Sequence, residues 1–328
     1  MSRPRLSAWS LVAAAACWGT ATAISKRAVD EIAPLTLLPI QLAVSVAVLF
    51  AATAITGDHT LPVKNRAALG WLGVLNPGLS YALSLAGLAR ITASTSTLLW
   101  ATEPVLILLL AWLLLGQRPT PAVFGCAAVA LTGVALVVAQ PGIELSIVGV
   151  ALTVAGVAVC ALYTVMSSRY LGDESTLGVV LLQQSSALGF ATLLGIGALV
   201  SGHAGSLANV SATGWASALA AGALYYGVAF WFYLRGLRTC SPGIAGLFIN
   251  LVPLFGVTSA AVLLGERLTA RQWIGCAIAL AAVTTVALIQ TRPANDTEPD
   301  RSQITPDQAT TRPPHSSGTR KAQRHARK

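Results

Sequence analysis

The sequence predicts an all-α membrane protein: ten transmembrane helices arranged as two five-helix repeats of opposite orientation, followed by a disordered basic tail. Three observations predict this class. The 328 residues are 55% hydrophobic and only 10% charged, with a mean hydropathy of +0.69. Apolar runs long enough to cross a bilayer recur along the chain. The second half also repeats Pro, Gly and Arg positions of the first.

A soluble chain is about one-quarter charged. This one has too few charges to cover a surface in water, so lipid is the expected solvent. The formal charge of +9 does not point to nucleic acid, because eight of the 21 Lys and Arg residues lie beyond residue 291 and most others punctuate apolar runs. Positive loops of this kind belong on the cytoplasmic side of a membrane. Cys17, Cys126, Cys160, Cys240 and Cys276 sit within or beside apolar runs without a CxxC pair, and the four histidines lie in loops or the tail. The spacing predicts no metal site and no cofactor.

A helix needs about 20 mostly apolar residues to span the hydrocarbon core. The predicted spans are 7–25, 34–56, 67–89, 92–115, 121–139, 147–168, 176–200, 213–235, 242–264 and 271–290. Arg3 and Arg5 before the first run resemble a secretory signal. That run continues to Ser25 through internal polar residues, and it has a counterpart in the second half, so it reads as a retained span. Turn formers divide the runs, as in Gly57-Asp58-His59, Gly116-Gln117-Arg118-Pro119, Gln140-Pro141-Gly142, Gly172-Asp173-Glu174 and Gly265-Glu266-Arg267. Their continuous rather than alternating apolarity favours helices over a barrel. Beyond residue 290 the composition turns to Pro, Ser, Thr, Gln and charge, which cannot bury enough apolar area to order itself.

With the N-terminus in the cytoplasm, inside loops hold Arg3, Arg5, Lys64, Arg66, Arg118, Arg169, Arg235 and Arg238, plus the tail. Outside loops hold Lys26, Arg27, Arg90, Arg267 and Arg271. This bias predicts a multi-pass protein of the cytoplasmic membrane with both termini inside.

The repeat is read at an offset of 149 residues. Pro104 then meets Pro253, Leu114-Leu115-Gly116 meets Leu263-Leu264-Gly265, Arg118 meets Arg267, and Thr120 meets Thr269. Gly125-Cys126-Ala127 follows as Gly275-Cys276-Ala277, Gly70-Trp71 and Tyr81 as Gly214-Trp215 and Tyr225, and Cys17 and Lys26 as Cys160 and Arg169. The predicted units are 1–143 and 144–290, with the tail at 291–328. Five spans are an odd number, so consecutive units lie upside-down to one another. Inverted repeats of this kind place a solute site between the halves, near the midplane.

The residues Cys17-Trp18-Gly19 with Lys26, Pro104 with Leu115-Gly116-Gln117-Arg118, and Pro253 with Leu264-Gly265-Glu266-Arg267-Leu268-Thr269 make the chain similar to the drug/metabolite transporter superfamily, in its EamA-like branch. The resemblance covers residues 7–290. Gln117 stands where the family often has Glu, and Ala161 where the second repeat often has Trp. The resemblance implies ten helices, a central cavity and export of small metabolites, often coupled to protons.

Glu103 is the one acid expected deep in the membrane. An ionised carboxylate there must face a polar cavity, pair with a donor or take up a proton. It is the candidate proton carrier and cation ligand, although a structural bond to a neighbouring helix would also keep it there. Pro104 and Pro253 remove a backbone donor at matching places, which predicts kinks. Trp18, Tyr81, Trp100, Tyr163 and Tyr225 carry aromatic faces inside spans, where packing and solute binding compete as roles. Asn250, one turn before Pro253, completes the candidate substrate-binding set.

Together these features predict a secondary transporter exporting small metabolites, amino-acid-like compounds or drugs by alternating access. Its partners are the small-molecule substrate and membrane lipid, with no nucleic acid, and the chain is either a monomer or a homodimer. A lipid translocator or a non-transporting assembly partner is the alternative. An enzyme is not expected, since no GxSxG elbow and no intramembrane His occurs, and no GxxxxGK[ST] loop is present for ATP.

Overall fold

The computed structural model describes residues 3–57, 65–116, 120–138, 146–167, 175–237, 248 and 250–291. Among them every regular element is helical. The tail from residue 292, Cys240, Arg169 and the Gln117-Arg118 turn lie outside the described residues. Thr291, taken from sequence as the first tail residue, instead closes the last helix.

The helices follow the apolar runs closely. They are α1 (Arg3–Val29), α2 (Pro34–Thr56), α3 (Arg66–Gly73), α4 (Ser80–Leu88), α5 (Ala93–Trp100), α6 (Glu103–Leu115), α7 (Pro121–Val138), α8 (Ile147–Ser167), α9 (Thr176–Val200), α10 (Ala212–Ala221), α11 (Ala229–Leu237), α12 (Val252–Leu264) and α13 (Ala270–Thr291). π-helical segments at Val74–Leu79 and Gly222–Val228 join α3 to α4 and α10 to α11. Among the described residues five segments are long and apolar enough to cross a membrane: Pro34–Thr56, Ala93–Leu115, Ile147–Ser167, Leu177–Val200 and Ala212–Tyr233. Pro121–Gly133 and Val252–Leu264 are shorter apolar helices.

The conserved spacing between the halves has a local cause. α6 and α12 are both 13 residues long, both carry Pro at the start, and both end on glycine in the left-handed conformation, Gly116 at φ +68° and Gly265 at φ +69°. Glycine takes that backbone shape without a Cβ penalty and lets the chain satisfy the last helical carbonyls. Pro104 and Pro253 do more than kink a helix. Each sits in the first turn of a new one, where a missing N–H costs nothing. Upstream of Pro104 the chain turns at Ala101 and Thr102, whose N–H groups reach back to Leu98 O at 3.2 Å and Leu99 O at 3.0 Å. The fourth apolar run is therefore two helices, α5 and α6, with Glu103 as the first residue of the second.

The halves interleave. α1 packs on α10, α11 and α12 from the second half, and α8 packs on α4, α5 and α6 from the first. α2 meets α9, each also meets the π-helical segment of the opposite half, and α7 pairs with α13. Small residues permit the closest approaches. A Cβ on Gly19 would stand 2.6 Å from Gly256 N and from Val252 O, so α1 touches the backbone of α12 there. This gives the Cys17-Trp18-Gly19 motif a packing role. Residues 3–291 thus form one unit.

Candidate functional site

Where the halves meet, α1, α4, α5 and the second π-helical segment enclose a small cavity. Its lining is Thr22, Ser25, Tyr81, Ser84, Leu85, Leu88, Ser96, Trp100, Tyr225 and Tyr226. Both repeats contribute to it. It offers about 20 Å³ of space to water-sized groups. That suffices for a water, which needs roughly 10–15 Å³. Ligand pockets run to about 300–1,000 Å³, so the walls must part before a metabolite can enter.

Tyr81 is the centre of an aromatic cluster. Its ring centroid lies 5.4 Å from Trp100, 5.3 Å from Tyr225 and 5.1 Å from Tyr226, the two tyrosine pairs meeting edge to face. Tyr225 and Tyr226 are themselves 5.1 Å apart. Tyr81 and Tyr225, matched in the sequence repeat, are thus in direct contact across the two halves. Separations of this kind are the preferred range for aromatic pairs.

A polar framework holds the cluster. Gln184 on α9 donates to the Tyr226 carbonyl at 3.0 Å and accepts from the Ser45 hydroxyl of α2. One buried amide therefore ties the π-helical segment to α2 and α9. Gln41 on α2 donates to Ser25 Oγ at 3.2 Å. Ser80 donates to Gly156 O at 2.8 Å, fixing α4 against α8. Ser84 Oγ lines the cavity, is buried and has no protein partner. A buried hydroxyl left this way costs free energy unless water or a solute reaches it.

Glu103 lies just beyond the cavity. Ser96 and Trp100 lie one turn apart on α5, and Glu103 opens α6 three residues further on, past the turn at Ala101 and Thr102. Its carboxylate accepts from Cys160 Sγ on α8 at 3.4 Å. Among the described residues no Lys, Arg or His lies within ion-pair distance of it. Standing at the first position of α6, it faces the positive end of that helix dipole, an interaction of about 0.3–1 kcal/mol at a surface and more when partly buried.

The other sequence candidates are placed elsewhere. Trp18 packs on Phe230 and Tyr233, each ring 5.4 Å away. Tyr163 donates to Gln183 Oε1 at 2.9 Å beside Leu69, Leu72 and Val179. Asn250 is half-buried, with its amide nitrogen buried and unpartnered. Tyr81, Trp100 and Tyr225 are brought together. Ser25, Ser84 and Ser96 join them without any sequence signal beyond being small hydroxyl residues. Tyr226 carried the same interior-aromatic signal as its neighbour.

At one end of the bundle the connecting loops are laced together. Glu266, in the α12–α13 loop, accepts from Ala93 N at 2.8 Å and Ser94 N at 2.9 Å, capping α5. Arg27 donates to Leu263 O at 2.9 Å. Glu31 accepts from Ser211 N at 2.7 Å and from the Ser211 hydroxyl at 2.8 Å. Those two bonds hold the Glu31 carboxyl below the usual carboxylate range.

Among the described residues no group of His, Cys, Asp and Glu has the arrangement of a metal site. The model of the EamA-like transporter family matches residues 5–139 and again 147–288, one match per repeat. A crystal structure of a protein 18% identical in sequence superposes with a TM-score of 0.61, covering 86% of this chain and 96% of the other. At that identity it speaks for the fold alone. No curated protein matches the chain.

Proposed function

Because the chain belongs to the EamA-like transporter family, within the drug/metabolite transporter superfamily, we propose that it is a proton-coupled secondary transporter of ten spans that exports small metabolites, amino-acid-like compounds or drugs by alternating access. The observation that carries this reading is the convergence of Tyr81, Trp100 and Ser84 from one repeat with Tyr225 and Tyr226 from the other on a single cavity. A solute seated between two inverted units can face either side as the units tilt.

The interleaved packing supports one choice of moving bodies. Rocking one repeat against the other would tear α1 from α12 and α8 from α4. The natural bodies are instead mixed, one built on α1 with α10–α12 and the other on α8 with α4 and α6, while α5 packs on both α12 and α8. The cavity lies between these bodies, since Thr22, Ser25, Tyr225 and Tyr226 belong to the first and Tyr81 and Ser84 to the second, with Ser96 and Trp100 on the bridging α5. With the N-terminus in the cytoplasm, the laced end faces outward, so this conformation is closed on that side.

Glu103 is the proton carrier of this reading. It is a carboxylate within a predicted span, close to the chamber, without a basic partner among the described residues. Purified protein in vesicles, given an imposed pH gradient and a metabolite panel, tests the proposal. Wild type should move at least one solute against its gradient, and Glu103→Gln should abolish proton-driven movement while inserting and folding normally. Unchanged flux and pH dependence in Glu103→Gln would remove the residue from the mechanism.

A further inference from the structure

Among the described residues the chamber wall offers hydroxyl groups, aromatic faces and a nearby carboxylate, and no positive charge. None of its lining residues is Lys, Arg or His. The cations nearest in sequence to the chamber helices are engaged at helix ends: Lys26 with Asp30 at 2.8 Å, Arg27 with Leu263 O at 2.9 Å and Arg90 with Ala86 O at 2.5 Å. Among the described residues the donor to Glu103 is the Cys160 thiol, a weak donor that does not neutralise a carboxylate.

Resting on the transporter reading above, we propose that the chamber selects organic cations that carry an aromatic or apolar body, the cationic centre lying between Glu103 and the rings of Tyr81, Trp100 and Tyr225. Three features converge on that chemistry. The negative faces of aromatic rings attract ammonium groups, most strongly where water is excluded. Glu103 opens α6 three residues after Trp100 ends α5, and so supplies a full charge close to the ring cluster. The orphaned Ser84 hydroxyl, buried in the same wall, offers its oxygen lone pairs to a cationic centre. An anion would meet hydroxyl donors but also the Glu103 carboxylate and, among the described residues, no basic side chain to replace its lost hydration.

The test uses three probes that share one phenyl body: phenethyltrimethylammonium, 3-phenylpropionate and neutral 2-phenylethanol. Binding to the purified full-length protein is measured by calorimetry, and uptake of the two charged probes is followed in vesicles. Wild type should bind the cation at least tenfold more tightly than the anion and should transport it. Glu103→Gln should lose at least tenfold in cation affinity while its affinity for the neutral probe stays unchanged, an outcome that general misfolding would not give. Trp100→Leu, which keeps apolar bulk but removes the ring face, should weaken the cation several-fold more than the neutral probe. Absent cation binding, equal or tighter binding of the anion, or full cation affinity in Glu103→Gln overturns the cation assignment. Flux of an anionic metabolite from the wider panel would overturn it too, yet leave the carrier standing. No flux of any solute, panel and probes alike, would overturn the carrier reading itself.

Discussion

Replacing Glu266 by Ala should be among the most costly loop substitutions in this protein, and the structure sets the size. The carboxylate takes both N–H groups that open α5, Ala93 N at 2.8 Å and Ser94 N at 2.9 Å, while Thr92 takes the third from Thr95. A hydrogen bond to a charged group contributes about 1.5–3 kcal/mol, and loss of a helix cap costs about 0.5–2 kcal/mol. Glu266 is half-buried, so the lower part of each range applies. The expected loss is about 2–4 kcal/mol for Glu266→Ala and about 1–2 kcal/mol for Glu266→Gln, whose amide keeps one acceptor but no charge. The assay is reversible unfolding in mixed micelles with increasing sodium dodecyl sulfate. α5 carries Ser96 and Trp100 into the chamber, so apparent substrate affinity should fall in the same order. Glu266→Ala unfolding within about 0.5 kcal/mol of wild type, the scatter of neutral surface changes, would refute the cap and the coupling argued from it.

Gly19→Ala should destabilise by about 1–3 kcal/mol through overpacking, because the new methyl would meet α12 backbone at 2.6 Å; the same unfolding assay checks it, and a neutral effect would contradict the close crossing. Gly265→Ala has open space around its Cβ, so its cost should be backbone strain alone, about 1 kcal/mol, and thermal unfolding of that variant measures it. Glu31 is held low by Ser211, so its bonds to α10 are present above the ordinary carboxylate range and are lost only as pH falls through the still lower folded value. A carbon-13 titration of Glu31 should place its midpoint below that of a free glutamate, and Ser211→Ala should raise it. A midpoint at or above the free value would contradict that pairing.

Much of the fold is legible because lipid imposes a simple rule. A backbone in hydrocarbon must satisfy itself, so each long apolar run became helical where described, and Gly57, Gly116 and Gly265 marked the stops. The Pro104 and Pro253 match also carried true structural information, since both open equivalent helices. The inward faces were not legible. In water a helix shows its buried side as an apolar stripe, but in lipid both sides are apolar and the stripe vanishes. Trp18 and Tyr163 could not be told from Tyr81 and Trp100 for that reason, and Ser25, Ser84 and Ser96 looked like ordinary small packing residues. Nor could sequence say that α1 would seat on α12 rather than on its own repeat. That pairing depends on the absence of a side chain at Gly19 where it meets the α12 backbone at Val252 and Gly256, a property of distant positions considered together.

Opposite orientation of the two repeats is the claim on which chamber, gate and coupling all depend. It is measured by placing single cysteines at positions 118 and 267, in a variant lacking the five natural ones, and labelling intact cells with a membrane-impermeant maleimide. Position 267 should label from outside and position 118 only after the membrane is opened. Labelling of both from the same side would contradict the inverted pair and, with it, the transport cycle built on it.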